Sequence, residues 1–411
     1  MKVAVIGGGA AGMMAAYAAA SRGAEVTLFE KNEKLGKKLY ITGKGRCNIT
    51  NACDIEDFFP NIPTNPKFLY SALYTFSNDA LISLLNEYGL ETKVERGARV
   101  FPMSDKSSDV IRTLHNMVID SGATVRLKEE VKSLIIKDGR VKGIVTQEEK
   151  KLFDRVIICT GGLSYPSTGS TGDGYQFALS AGHAVKQTEP SLVALCVKQA
   201  NLLKEAQGLT LKNVKLTLQN RGRILYQEQG EMLITHFGVS GPLVLSASAH
   251  LKGDLKDSTL TIDLKPALTE EVLEKRILRD FSQEQNKQLK NALNKLLPKS
   301  MTGIMLEYAG LDANKFVHDI TRPERDTLTK SIKNFKLDIQ SKRSIKEAII
   351  TRGGVDVKQI DPSTMESKVV KGLYFAGEVV DVDGYTGGFN LQIAFSTGYL
   401  AGMSAAQATS E

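Results

Sequence analysis

Gly7, Gly9 and Gly12 follow the apolar run Val3-Ala4-Val5-Ile6 and precede the apolar stretch Met13 to Ala20. Gly-x-Gly-x-x-Gly between a strand and a helix is a spacing that can hold a pyrophosphate. Gly7 permits the tight turn, Gly9 lets the backbone approach a phosphate, and Gly12 lets the helix pack closely on the strand. The helix start at Ala10 and Ala11 then offers unpaired N–H groups and a positive dipole end. Glu30 closes the next strand, Glu25 to Glu30, 18 residues past Gly12. A carboxylate there can accept hydrogen bonds from ribose hydroxyls, so strand, turn, helix and acid together read as a site for an adenine dinucleotide. The acid favours FAD or NAD over NADP, which usually needs a basic residue at that place. Residues 3–20 carry no charge. A membrane helix is the competing reading, but three consecutive glycines and the lack of a basic leading region argue against it.

Four further segments have the composition of cofactor loops. Leu35-Gly36-Lys37-Lys38 runs into Thr42-Gly43-Lys44-Gly45-Arg46-Cys47-Asn48. Gly43 and Gly45 allow close approach, and Lys37 and Arg46 can balance a pyrophosphate; a solvated basic loop is the alternative. Lys31, Cys47 and Asn48 complete the candidate contacts around it. Thr160-Gly161-Gly162 ends the apolar strand Arg155 to Thr160, where ligands of open α/β sheets bind. Behind it, Tyr165 to Gly174 is a glycine-rich loop leading to a helix over 174–180, with Asp173 as its expected cap. Gly377 and Glu378 follow the apolar strand Gly372 to Ala376, and this carboxylate can take a ribityl hydroxyl. Gly384 to Leu391 opens the last helix, where N–H groups of Gly388, Phe389, Asn390 and Leu391 can face the O2 and N1 edge of a flavin.

Candidates for acid–base work are few. His236, in Thr235-His-Phe-Gly238, titrates near neutrality and can transfer a proton; a hydrogen-bonded structural histidine is the alternative. Arg352, before Gly353 and Gly354, can hold an anionic substrate or balance a reduced flavin, or form an ion pair within its loop. Tyr165 can donate a proton or stack on a ring, or simply pack. Four cysteines form neither a C-x-x-C pair nor a His/Cys cluster. No metal site and no dithiol redox pair are therefore expected, and a reducing cytoplasm is the expected compartment.

At 411 residues the chain is long for one core. Its net charge of +7 is mild, with lysines densest over 31–46 and 275–346. A small-molecule substrate or anionic cofactor suits this better than nucleic acid, because no basic stripe interleaved with aromatics appears. After the opening β-α-β unit, residues 31–53 read as loop, 66–74, 78–88 and 105–121 as helices, and 94–101, 124–127, 131–137 and 140–147 as strands. Residues 190–264 alternate like the strands of a small barrel or sandwich (192–197, 214–219, 224–227, 259–263). Residues 268–335 turn helical (270–281, 286–297, 324–335), and 336–340 returns to strand. The pattern predicts an α/β fold. A discontinuous Rossmann-like dinucleotide domain, 1–190 and 345–411, encloses a barrel-like part, 191–265 and 336–344, and a helical subdomain, 266–335.

These motifs together resemble the BaiN/YhiN family of FAD-dependent oxidoreductases, a group that includes aminoacetone-oxidase-like flavoproteins. The likeness spans nearly the whole chain. It rests on Ile6 to Gly12, Thr42 to Asn48, Thr160 to Gly162, Pro166 to Gly174, Thr235 to Pro242, Thr351 to Val355, Gly372 to Glu378 and Gly387 to Gln392. The Thr-Gly-Asp-Gly and Ala-Gly-Glu segments are more distantly similar to fumarate reductase flavoproteins. The resemblance implies a two-dinucleotide-binding-type FAD domain with an inserted β-barrel and a helical subdomain. It implies Glu30 on the adenosine ribose, the Val131 backbone on the adenine, Lys37 and Arg46 near the phosphates, Glu378 on the ribityl chain, and Gly388 to Leu391 at the pyrimidine edge. A lysine stands at 37 where the family usually has arginine, which keeps charge but loses the fork. The expected activity is hydride transfer between flavin N5 and a small organic substrate, either reduction of an activated C=C bond or oxidation of a small amine by oxygen. No second Gly-x-Gly-x-x-Gly follows a strand, so NAD(P)H as donor would bind transiently over the flavin. A flavin-dependent RNA-modifying factor and a noncatalytic redox sensor are the readings from other classes.

Overall fold

The computed structural model describes residues 1–407. Its contacts divide the chain into two compact units, Met1–Ser191 with Ile345–Glu411, and Leu192–Ser344.

The first unit is built on a five-stranded parallel sheet. Lys2–Ile6 lies centrally between Arg155–Ile158 and Glu25–Glu30; Leu373–Phe375 and Thr124–Leu127 form the edges. Arg155–Ile158 is buried at every position, as a parallel strand covered on both faces should be. The uncharged stretch 3–20 resolves into that central strand and the 11-residue helix Ala10–Ala20. This helix is buried almost all round because it is covered by the sheet and by the last helix, Phe389–Ala405. Among the described residues no helix is long and apolar enough to cross a membrane.

The contact between these two helices is set by Gly398 and Gly402, one turn apart on the last helix. A Cβ at Gly398 would lie 2.3 Å from the Ala11 carbonyl oxygen, and one at Gly402 2.2 Å from that of Ala15. Hydrogen in place of a side chain lets backbone meet backbone, which fastens the C-terminal segment directly onto the helix that carries the N-terminal glycine turn.

Two smaller antiparallel sheets complete this unit, one from Thr50–Asn51, Arg99–Pro102 and Thr92–Glu95, the other from Val131–Lys137, Arg140–Thr146 and Lys150–Leu152. Val185–Ser191 and Ile350–Val355 pair antiparallel where the chain leaves the unit and returns to it.

The second unit contains a closed six-stranded barrel of Leu195–Val197, Gly238–Ser240, Arg223–Thr235, Thr210–Asn220, Ser258–Asp263 and Phe335–Lys342. Helices Glu270–Gln283, Lys299–Ala309 and Arg322–Lys333 share one apolar core with it. The helical segment therefore has no separate core. Thr321 and Glu324 form a capping box at the start of the last of these helices.

Several elements differ from the sequence expectation. Residues 37–41, read as loop, form a short helix that begins at Gly36, whose φ is +69°. The stretch 286–297 holds only Leu289–Ala292 and a 3-10 turn, and Pro298 starts a new helix, Lys299–Ala309, that periodicity missed. Residues 66–74 open as a 3-10 turn before Tyr70–Thr75. The strand at 224–227 extends over Arg223–Thr235, because its polar middle is exposed and shows no alternation to read. Asp173 does not cap its helix: the chain turns at Gly172, and the Asp173 carboxylate binds Lys31 at 2.5 Å instead.

Gly402→Leu is expected to destabilise the protein by about 3 kcal/mol or more, because neither backbone can retreat without moving the sheet. Denaturant unfolding checks this, with Gly303→Leu as a control, since a Cβ there meets nothing within 4 Å.

Candidate active site

At the end of the central strand Gly7 has φ +103° and donates to the Phe29 carbonyl at 2.8 Å. A Cβ at Gly12 would stand 1.8 Å from the Gly7 oxygen, so the turn closes only with hydrogen at both places. Gly9 behaves differently: its φ is −85°, and a Cβ there meets nothing within 4 Å. The helix that starts at Ala10 has no side-chain cap and no acid in its first turn. Its first N–H groups, including those of Ala10, Ala11 and Gly12, lack intrahelical acceptors and sit at a positive dipole end.

Glu30 is buried beside this turn. Its Oε2 accepts from Gly8 N at 2.8 Å, and its Oε1 from Asn32 N at 2.8 Å and Asn32 Nδ2 at 2.7 Å. The carboxylate is thus fixed at the carboxyl end of its strand by neutral donors. Glu129 N donates to the Glu30 carbonyl at 3.1 Å, which brings buried Val131, two residues on, to the same rim.

Thr160-Gly161-Gly162 lies past the end of Arg155–Ile158. The Thr160 hydroxyl is buried without a hydrogen-bond partner. Gly162 packs against Thr351 and Glu378, where a Cβ would come within 2.4 Å of Thr351 Oγ1. Glu378 is the centre of a polar network. Its Oε1 accepts from Ser164 Oγ at 2.7 Å and Thr351 N at 2.8 Å, its Oε2 pairs with the Lys38 ammonium, and Lys38 also donates to Ser164 at 2.6 Å. Neighbouring Gly377 touches Ala11, where a Cβ would be 2.8 Å from that of Ala11.

The opening of the last helix is stitched to residues 48–51. In the amide orientation that satisfies its neighbours, Asn48 accepts from Gly388 N at 3.0 Å and donates to Thr50 O at 3.0 Å. Asn51 Nδ2 donates to Gly387 O at 3.0 Å. Asn390 holds the preceding loop through Gly384 N at 2.8 Å and Gly384 O at 2.7 Å, and Phe389 packs edge-on to Phe58. The N–H groups of Asn390 and Leu391 belong to a first turn that has no side-chain cap.

Other expected residues are engaged elsewhere. Arg46 does not present a free cation: it is held by Glu95 and by Asp105, at 2.8 Å through Nε, and lies 4.2 Å over the Phe101 ring. The left-handed backbone at Lys44 and Cys47, with Gly45 between them, turns it that way. Lys31 is committed to Thr171 and Asp173, both at 2.5 Å. Lys37 points to Asn32 at 3.2 Å and Glu33 at 3.5 Å. Its neighbour Lys38, which the sequence reading passed over, is the lysine that reaches Glu378. Adjacent residues on a helix point about 100° apart, so the two partly buried lysines reach different partners. The Cys47 thiol is fully buried, which pushes its pKa up to about 12, so it carries no thiolate. Burial raises the buried Cys159 thiol likewise.

Of the three acid–base candidates, His236 belongs to the second unit, and Arg352 and Tyr165 to the first. His236 is exposed at the tip of a hairpin in the barrel unit, edge-on to Phe237. Arg352 is buried and paired with Glu189 across the antiparallel ribbon at 2.5 Å. Tyr165 follows Ser164 of the Glu378 network, is half-buried, and has its phenol pKa raised by that burial.

A glycine turn open at Gly9, an uncapped helix start, a fixed buried carboxylate and an orphaned Thr160 hydroxyl fit FAD stretched along the strand ends. A family described as HI0933-like protein Rossmann domain matches residues 1–404. The chain belongs to this family and is an FAD-dependent oxidoreductase. It is 33% identical to the 3-dehydro-bile acid delta(4,6)-reductase of Clostridium scindens over 99% of both chains. It is 32% identical to a ribosomal RNA dihydrouridine synthase of Haemophilus influenzae over 97% of both. Its fold is similar to that of the 3-ketosteroid-delta4-(5alpha)-dehydrogenase of Rhodococcus jostii RHA1, with TM-score 0.51 and 17% identity over 99% of this chain and 97% of that one.

Lys38→Met should weaken FAD binding by about 1.5–3 kcal/mol, because it strips a charged partner from a largely buried carboxylate, while Lys37→Met leaves it within about twofold. Titration of the apoprotein with FAD, followed by flavin fluorescence, measures both. In the native protein a thiol reagent is expected to label Cys53 and Cys196, which are partly exposed, and to spare Cys47 and Cys159 until unfolding.

Proposed function

We propose that this enzyme reduces a C=C bond conjugated to a carbonyl, with NAD(P)H as electron donor. One observation carries the reading: a relative 33% identical over 99% of this chain is named as a 3-dehydro-bile acid delta(4,6)-reductase. A dihydrouridine synthase, the name carried by two further full-length relatives, also saturates a C=C bond conjugated to a carbonyl, on the uracil ring. The two names differ in substrate and agree in bond type, so bond type is the part carried over.

Bound FAD supplies a hydride acceptor and donor at N5. The residues of this chain supply position and charge. The N–H groups at the start of the Ala10–Ala20 helix and the open space at Gly9 receive the pyrophosphate, and Glu30 receives the ribose. Glu378, held by Lys38, Ser164 and Thr351, takes the ribityl hydroxyls. The first turn of Phe389–Ala405 offers N–H groups to the pyrimidine edge, where negative charge grows on reduction. One hydride enters the β-carbon of the substrate, and one proton must reach its α-carbon. Tyr165 is our candidate proton donor: it adjoins the Glu378 network, and its raised pKa keeps the phenol protonated. Arg352 serves the ribbon through Glu189, and His236 stays a candidate proton carrier within the barrel unit.

All four cysteines are free, and no disulfide partner offers a dithiol route for the electrons. The basic balance, with a sequence pI near 9.0, leaves a ribosomal RNA substrate as the second reading. The experiment is anaerobic stopped-flow on the yellow holoenzyme. NADH or NADPH should bleach the flavin, and a steroid-type 4-en-3-one should restore the colour. Recovery with ribosomal RNA alone moves the assignment to the second reading, and bleaching by aminoacetone but not by either nicotinamide contradicts both. Tyr165→Phe should slow the recovery phase by about 10²-fold or more and leave the bleaching phase unchanged.

A further inference from the structure

The barrel-and-helix unit has a cavity of its own, about 200 Å³ in volume, within residues that no cofactor motif uses. The strand Thr210–Asn220 supplies Leu211 and Val214 to its wall, Leu264 follows the strand Ser258–Asp263, and Leu297 and Met301 close it from the helical side. These side chains are buried and belong to the core shared by barrel and helices. An apolar wall by itself would be ordinary packing.

What departs from packing is Lys265. Its side chain lines the cavity and is half-buried, and its ammonium has no hydrogen bond and no ion pair among the described residues. Asp263, two residues earlier in the chain, is bound by Lys333 at 2.6 Å. Burial and the Arg276 charge both lower the Lys265 pKa, as an uncompensated cation in an apolar setting requires. Lys212 lines the same cavity and is exposed, and it too has no ion pair among the described residues. The helix Lys299–Ala309 begins at Pro298 on the wall, with no side-chain cap and no acid in its first turn. Thr210 and Asn213 add neutral polar groups to the lining, no acidic residue lines it, and the only charges on its wall are those of Lys212 and Lys265.

We propose that this cavity is a binding site for a small organic anion with an aliphatic tail, its carboxylate on Lys265 and its tail against Leu211, Val214, Leu264, Leu297 and Met301. The charge selects an anion, and the wall selects a tail over a bare inorganic ion. A volume below the 300–1,000 Å³ typical of drug-sized pockets limits the tail to a short one. The site lies wholly within the unit 192–344 and does not depend on the flavin substrate assigned above.

Isothermal titration of the FAD-loaded enzyme with octanoate, octanol and inorganic phosphate separates charge from tail. Octanoate is expected to bind more tightly than either of the others. Lys265→Gln should weaken octanoate by about tenfold, the usual range for loss of one charge-assisted contact, and Lys265→Arg should restore most of it. Both variants should retain the flavin spectrum and unfolding midpoint of the parent. Absence of octanoate binding, binding that Lys265→Gln leaves unchanged, or phosphate binding as tight as octanoate would each overturn the proposal.

Discussion

The fold of the flavin unit depends on a backbone-to-backbone contact between its first and last helices. Gly398 and Gly402 lie against the carbonyls of Ala11 and Ala15 with no side chain between them. The two segments are nearly 400 residues apart in sequence, so closing that loop costs conformational entropy that local interactions cannot offset. Close packing over several turns offsets it, and it also sets where the cofactor groups stand. The first helix carries the glycine turn and the last carries the uncapped start at Gly388 and Phe389. Fastening one to the other places both helix starts on one unit with Glu30 and Glu378.

This arrangement explains why charge is used sparingly at the site. Glu30 is held by amide donors, and the space proposed for the pyrophosphate is bounded by backbone N–H groups and a helix dipole. Arg46, Lys31, Lys37 and Lys38 are all engaged with carboxylates or amides of the protein, and of the four it is Lys38 that pairs with Glu378. Backbone donors fixed by the fold need no reorganisation when the cofactor arrives or changes charge, whereas flexible cations would.

Much of this was legible in the sequence. The strand–turn–helix of 2–20, the acid at Glu30, the apolar strands at 155–158 and 373–375 and the last helix follow from periodicity and from glycines that only a close approach explains. The barrel could be read as barrel or sandwich, since alternation reports one buried face and not closure. Side-chain partners were the illegible part. Nothing in Lys37-Lys38 fixes which lysine turns inward without knowing that a short helix begins at Gly36. Nothing in Thr42 to Asn48 shows that Arg46 meets Glu95 and Asp105, which come from the strand Thr92–Glu95 and the turn after Arg99–Pro102, some 50 to 60 residues further on. Lys265 is one lysine among many until the strand and helices around it are in place.

The proposed flavin site depends on the open space at Gly9 receiving the FAD pyrophosphate. Gly9 has an extended backbone that any residue can adopt, and a side chain there meets no protein atom within 4 Å. Comparing FAD affinity and unfolding midpoint of Gly9→Val with the parent tests this most directly. An unchanged midpoint for the apoprotein and a loss of FAD binding of about a hundredfold or more are expected, the effect of a blocked phosphate approach. A Gly9→Val protein that folds normally and binds FAD as tightly as the parent would contradict it.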